Sequence, residues 1–168
     1  MGQTLSVNHL ALGFNPAHPI LRDVSFTIEV GSFVVLSGRN GTGKSLLLRC
    51  LKGLMQPSAG TITLGNEDLT RNPKRRNESI ALVFQDSDTQ IVGQTVQRDI
   101  LFGMENLRVP REERQTRLSQ VCRLLDLEHL LHQRPRTLSG GERRKLAIAG
   151  VLVMHPQVVL LEIGRAHV

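Results

Sequence analysis

The chain has 168 residues and a mass of 18.7 kDa, enough for one domain of ordinary size and too little for two. Hydrophobic residues make up 40% and charged residues 21%, which excludes a disordered or collagen-like chain, and no apolar run approaches the ~20 residues of a membrane span. Lys plus Arg number 21 against 15 Asp plus Glu, a net charge of +6 that invites a phosphate, lipid or nucleic-acid partner, but five Phe with no Trp or Tyr leave little to stack bases on and argue against nucleic acid.

The N-terminus, MGQTLSVNHL, lacks the basic-then-apolar order of a secretory signal, so a cytosolic chain is expected. Leu5 and Val7, then Leu10 and Leu12, read as a strand; Val24, Phe26, Ile28 and Val30 read as a second with one buried face. Phe33-Val34-Val35-Leu36 is continuously apolar and predicts a buried strand running into SGRNGTGKS, after which SLLLRCLKGLM has helical character and is closed by Gly53 and Pro57. Thr61 to Leu64 is a short strand before a Gly65-Asn66 turn, and Ile80 to Phe84 is another buried strand. From about Thr95 the character turns helical. Leu118, Val121, Cys122 and Leu125 keep the spacing of one helix face, with Glu112 and Glu113 in the first turn where the dipole favours them. A further helix runs from LSGGE through Leu146, Ala149, Gly150 and Val153 to Pro156, and Val158 to Leu161 reads as a last buried strand. A sheet-and-helix core with a helical insert over about residues 86–135 results. Cys50 and Cys122 lie in apolar helical patterns and are expected to be reduced core residues.

Gly38-Arg39-Asn40-Gly41-Thr42-Gly43-Lys44-Ser45 matches G-x-x-x-x-G-K-[ST] in full. Glycines let successive backbone N–H groups turn inward on phosphates, Lys44 adds charge, the Ser45 hydroxyl ligates magnesium, and the following helix contributes its positive end. A second anion device lies in Thr137-Leu138-Ser139-Gly140-Gly141-Glu142. Ser139 with Glu142 forms a capping box, which alone signals a well-started helix. The Gly140-Gly141 pair weakens that start unless something approaches the backbone closely. Two anion sites far apart in one chain suggest a head-to-tail pair of chains, each site built from the phosphate loop of one and the serine-glycine helix start of the other.

Taken together these residues resemble the ATP-binding subunits of ABC transporters. GRNGTGKS is similar to the Walker A loop, Gln85 in LVFQD to the Q-loop glutamine, LSGGE to the ABC signature and VVLL to the strand before Walker B; Phe14 stands where that family places the aromatic that stacks on adenine. FQDSDTQIVGQTVQRDILFGMENL and LSGGERRKLAIAGVLVMHP resemble the energy-coupling factor (ECF) importers, with departures at Ser87, Met104 and Val153. The resemblance implies an α/β P-loop NTPase fold, an antiparallel β subdomain plus a parallel sheet with helices, joined to a helical subdomain. It also implies ATP and Mg2+ as ligands, Ser45 and Gln85 toward the metal, and Gln85 and Ser139 in catalysis, the serine acting in trans with Gly140 and Gly141. A second ATPase subunit, identical or not, and a transmembrane component are the implied partners, at the cytoplasmic face of the membrane. The implied function is to drive uptake of a vitamin, cobalt or nickel. The alternative is a soluble ABC ATPase of DNA repair or translation, but neither the coiled-coil insert nor the second cassette common there is visible.

Family members follow the last strand with Asp-Glu-Pro, whereas here Glu162-Ile163-Gly164-Arg165-Ala166-His167-Val168 stands in its place. That heptapeptide can be reverse-translated into a common sequencing adaptor, so residues 162–168 are expected to be a non-native tail on a partial nucleotide-binding domain of residues 1–161. Such a chain lacks the glutamate that activates water and the switch histidine, a role His167 should not be given, and is expected to bind nucleotide without turnover.

Overall fold

In the computed structural model, which describes residues 2–13 and 19–163, the apolar alternation of the first strand slips by one residue. β1 (Leu5–Leu12) buries Leu5 and Val7, then Leu10 and Leu12, an odd-to-even change that a flat strand cannot place on one face. A bulge absorbs it. The register against β2 (Leu21–Ile28) shifts between Val7 and Leu10, and that against β3 (Ala59–Leu64) between Asn8 and Ala11, with His9 at φ 50 taking up the extra residue. β3 passes the bulge at Gly60, where a Cβ would fall 2.5 Å from the carbonyl oxygens of Asn8 and His9.

These strands and the short β4 (Glu67–Asp68) form an antiparallel sheet in the order β2-β1-β3-β4. They belong to the first of two units, residues 1–82 and 83–168. As an edge strand, β2 half-buries Val24, Phe26 and Ile28, and Val30 falls beyond it, exposed. α1 (Lys44–Lys52) buries Leu47, Cys50 and Leu51 and stops at Gly53, whose φ of 90 is the left-handed cap that glycine tolerates. α2 (Pro73–Ser79) was not legible as a periodic run, because PKRRNES has no apolar face. It starts on local chemistry instead: the Asn72 side chain accepts from Arg75 N–H at 3.0 Å and Pro73 occupies the first turn. β5 (Ile80–Val83) follows with all four residues buried.

One expectation fails. Phe33-Val34-Val35-Leu36 forms no strand among the described residues; Phe33 is 86% exposed and its three neighbours are exposed with it. Apolar β-branched composition favours a strand only where neighbours complete its hydrogen-bond ladder, and none does so here.

The second unit gathers α3 (Val96–Asn106), α4 (Arg111–Leu125) and α5 (Gly140–Leu152) around Ile100, Met104, Leu118, Cys122, Leu146 and Ala149. Leu118, Val121 and Cys122 bury the face their spacing predicts, with Leu125 packed at its margin. Both cysteines are free and buried as expected, and burial pushes the Cys122 thiol up to about 11. β6 (Val158–Leu161) forms where expected, and beyond it Glu162 N–H donates to the carbonyl of Val83, the last residue of β5, at 2.9 Å. Its burial is a correction: Leu160 is inside, while Val159 and Leu161 are exposed. Among the described residues no helix is long and apolar enough to cross a membrane.

Phe33→Ser is expected to change stability by less than about 0.5 kcal/mol, whereas Leu51→Ala should cost about 2–5 kcal/mol. Urea titration of both variants tests this, and a Phe33 cost matching that of Leu51 would mean the apolar run is buried in solution.

Candidate nucleotide site

Within the first unit, the segment 38–45 is shaped by glycines that no other residue could replace without strain. Gly38, Gly41 and Gly43 have φ values of 153, 77 and 91, and a Cβ on Gly43 would fall 2.7 Å from Leu21 Cδ2. Thr42 Oγ1 donates to the Arg39 carbonyl at 2.9 Å, pinning the turn across Asn40 and Gly41. Gly43 is also the cap residue of α1 and offers no side chain to its amides. The first i to i−4 bond runs from Leu47 N–H to the Gly43 carbonyl at 2.8 Å, so the amides of Lys44, Ser45 and Leu46 have no acceptor within the helix. Lys44 folds back over the loop, its Nζ donating to the carbonyls of Gly38 and Arg39, each at 2.7 Å. Ser45 places a hydroxyl in the first turn. A glycine cradle, uncapped amides, an ammonium and a hydroxyl suit a polyphosphate with a divalent cation.

In the second unit Gln85 is exposed and opens a short hydrogen-bonded strap. Asp86 Oδ1 accepts from Asp88 N–H at 3.2 Å and the Asp86 carbonyl accepts from Thr89 Oγ1 at 2.7 Å, closing the turn at Ser87–Thr89. Gln90 Oε1 then accepts the N–H of Phe84 at 2.7 Å, joining the strap to the residue before Gln85. At its far end Asp99 Oδ1 accepts from both Val92 and Gly93 N–H at 2.7 Å.

Ser139 caps α5 as the sequence predicts. Its Oγ accepts Glu142 N–H at 3.3 Å, and Glu142 Oε2 accepts from Ser139 N–H and Oγ at 2.7 Å each. The Ser139 bonds hold the Glu142 carboxyl below the usual carboxylate range. Gly140 and Gly141 face open space, with nothing within 4 Å of a Cβ at either position, which leaves the backbone open to approach. Arg143, one turn further, donates from Nη1 to the Leu138 carbonyl at 2.5 Å and pairs through Nε with Asp88 Oδ1 at 2.7 Å, tying the start of α5 to the Gln85 strap. A cavity of about 770 Å³ lies beside this pair, lined by Asp88, Gly93, Gln94, Arg134, Arg136 and Arg143.

The eight phosphate-loop residues are therefore brought together in the first unit, and Gln85, Ser139, Gly140 and Gly141 lie in the second. Phe14 and His167 fall outside the described residues. Glu162 sits just past β6, held by backbone bonds, its carbonyl accepting from Arg144 Nη2 at 3.4 Å. Sequence reasoning missed Asp88, Asp99 and Arg143. Their side chains act on backbone groups or on each other at distances that no motif spacing encodes, and an aspartate four residues after the Thr95 cap reads as an ordinary first-turn acid.

A glycine loop opening a helix without a side-chain cap, and a second, serine-capped helix start formed by L-S-G-G, define the class: an ABC-type nucleotide-binding chain. The family model described as ABC transporter matches residues 21–162, and the chain belongs to that family. Among relatives, it is 36% identical over 165 residues to the energy-coupling factor transporter ATP-binding protein EcfA1 of Enterococcus faecalis, covering 96% of this chain and 59% of that protein. It is 38% identical over 145 residues to EcfA of Enterococcus faecium, covering 86% and 52%. The solved structure of cbiO1 from Clostridium perfringens, described as part of the ABC transporter complex cbiONQ, superposes with a TM-score of 0.87 at 33% identity, over 96% of this chain and 65% of that one. The chain thus spans little more than half the length of the curated relatives it matches.

Because the Glu142 pKa is depressed in the folded chain, its share of the cap is present above the unfolded value and is lost as pH falls through the lower folded one. Amide exchange at the start of α5 should accelerate in acid, and Glu142→Gln should flatten that pH dependence. An identical profile in the variant would assign the acid sensitivity to another group.

Proposed function

We propose that the chain is the ATP-binding part of an ECF-type importer ATPase, which binds MgATP through residues 38–45 and, in a complete subunit, hydrolyses it to drive a membrane partner. The observation that carries this reading is the phosphate cradle: three glycines at positive φ opening an α1 whose first amides have no acceptor within the helix. Similarity to the EcfA relatives supports the branch. In this reading Lys44 leaves the Gly38 and Arg39 carbonyls for phosphate oxygens, Ser45 and Gln85 serve the metal, and Phe14 stacks on the adenine. Magnesium, when bound, neutralises charge on the terminal phosphates.

Ser139, Gly140 and Gly141 act in trans on nucleotide held by a second ATPase subunit, and about residues 86–135 form the helical subdomain that precedes them in the chain. The pair works peripherally at the cytoplasmic face of the membrane, and the cargo class is a micronutrient, a vitamin, cobalt or nickel. Residues 1–161 form a partial domain and residues 162–168 a non-native tail, so turnover by this chain should be at background and recover when it is continued with Asp-Glu-Pro and the remainder of a relative's domain. Comparable rates for the two would refute both the tail assignment and the role of the missing glutamate.

Lys44→Ala should weaken ATP binding by about tenfold or more, the loss expected when charge-assisted contacts worth ~1.5–3 kcal/mol go. Calorimetry on the chain is the check, and unchanged affinity would sink the phosphate-loop assignment. Ser139→Arg should leave ATP binding by the single chain intact and, in the completed subunit, block pairing. Equal loss of binding in the single chain would instead place the serine in its own pocket.

A further inference from the structure

We propose that Asp99 is a positioning residue for Gln85: from the first turn of α3 its buried carboxylate fixes the strap that carries the glutamine. The inference rests on the reading that Gln85 serves a nucleotide-bound metal, and goes beyond it by naming what holds Gln85 in place. Asp99 is only 9% exposed, and a buried carboxylate is stable only where its oxygens are hydrogen-bonded. Its Oδ1 takes two amides at once, Val92 and Gly93, each at 2.7 Å, and such charge-assisted bonds are roughly twice as strong as neutral ones. Gly93 is pressed so close that a Cβ there would fall 2.5 Å from Asp99 Cα. The glycine is therefore required by the same contact that the carboxylate makes.

From that anchor the restraint passes along the strap through bonds already in place. Gln90, two residues before Val92, accepts the Phe84 N–H at 2.7 Å, and Phe84 is bonded covalently to Gln85. α3 itself is fixed by its cap, Thr95 Oγ1 accepting Arg98 N–H at 3.2 Å, and by Ile100 and Met104 in the core of the second unit. A side chain on α3 thus fixes one end of the strap whose other end carries the exposed Gln85.

The test measures ATP affinity of the chain with and without Mg2+, alongside amide exchange at Phe84, Val92 and Gly93. Asp99→Ala should leave metal-free ATP affinity unchanged, lower the strengthening by Mg2+ about tenfold, the low end of the loss seen when the group behind a metal ligand is removed, and speed exchange at all three amides. Gln85→Ala should give the same loss of Mg2+ strengthening without the exchange effect, and the double variant no further loss. Asp99→Asn keeps an Oδ1 acceptor and should restore most of the effect. Gly93→Ala, with the carboxylate intact, should reproduce the loss, so the proposal stays open to refutation if Asp99→Ala fails to fold. Full Mg2+ strengthening in Gly93→Ala or Asp99→Ala, or additive losses with Gln85→Ala, would overturn it while Lys44-dependent ATP binding stands. Absence of Lys44-dependent binding in the unaltered chain would overturn the nucleotide reading itself and this role with it.

Discussion

A helix N-terminus can receive an anion only if no capping side chain lies over its first amides, and the start of α1 is organised around that constraint. At α1 the constraint is met sterically. Leu21, on an edge strand of the first sheet, lies where a Gly43 side chain would go, and the left-handed φ at Gly43 would strain any other residue. A serine or aspartate cap, the ordinary way to start a helix, is thereby excluded, at the loss of about 1 kcal/mol that such a cap contributes. Lys44 meanwhile satisfies two loop carbonyls, which keeps the loop in shape until a stronger acceptor draws the ammonium away.

The start of α5 meets the same constraint differently. Ser139 and Glu142 close the terminus on itself, so an incoming phosphate has to take over the serine hydroxyl that Glu142 now holds. A capping box is worth about 1 kcal/mol, and phosphate, like the Glu142 carboxylate, accepts charge-assisted hydrogen bonds. Gly140 and Gly141 keep the path to the backbone clear of side chains. One terminus thus carries no side-chain cap, while the other is closed by its own capping box.

Much of this was legible because it is local. The phosphate loop, the capping box and the α4 face are encoded in residues a few positions apart, and the structure keeps each of them. The first strand was legible as an apolar alternation, and the register against β2 and β3 adds that a bulge lies between Val7 and Leu10. What failed was non-local. Phe33 to Leu36 has the composition of a buried strand, but burial is a property of neighbours, and the pattern carries no record of whether they are present. α2 failed in the other direction, since its start depends on Asn72 and Pro73 while its length has no apolar periodicity to detect. Asp99 was invisible because its partners are backbone amides, which every sequence possesses.

The ties on the Gln85 strap differ in kind. The Asp88–Arg143 pair is open to water on its acidic side, with 61% of the aspartate and 30% of the arginine side chain accessible, and pairs open to water contribute ~0–1 kcal/mol and are screened by salt. The Asp99 bonds are partly buried, charge-assisted and doubled on one oxygen. A partner that competes for Asp88 or Arg143 therefore frees the outer turn at little cost, while Val92 and Gly93 stay fixed on α3. Arg143 also donates to the Leu138 carbonyl next to Ser139, so a single side chain touches both the strap and the start of α5. The Gln85 strap and the start of α5 are therefore tied through an ion pair of modest strength.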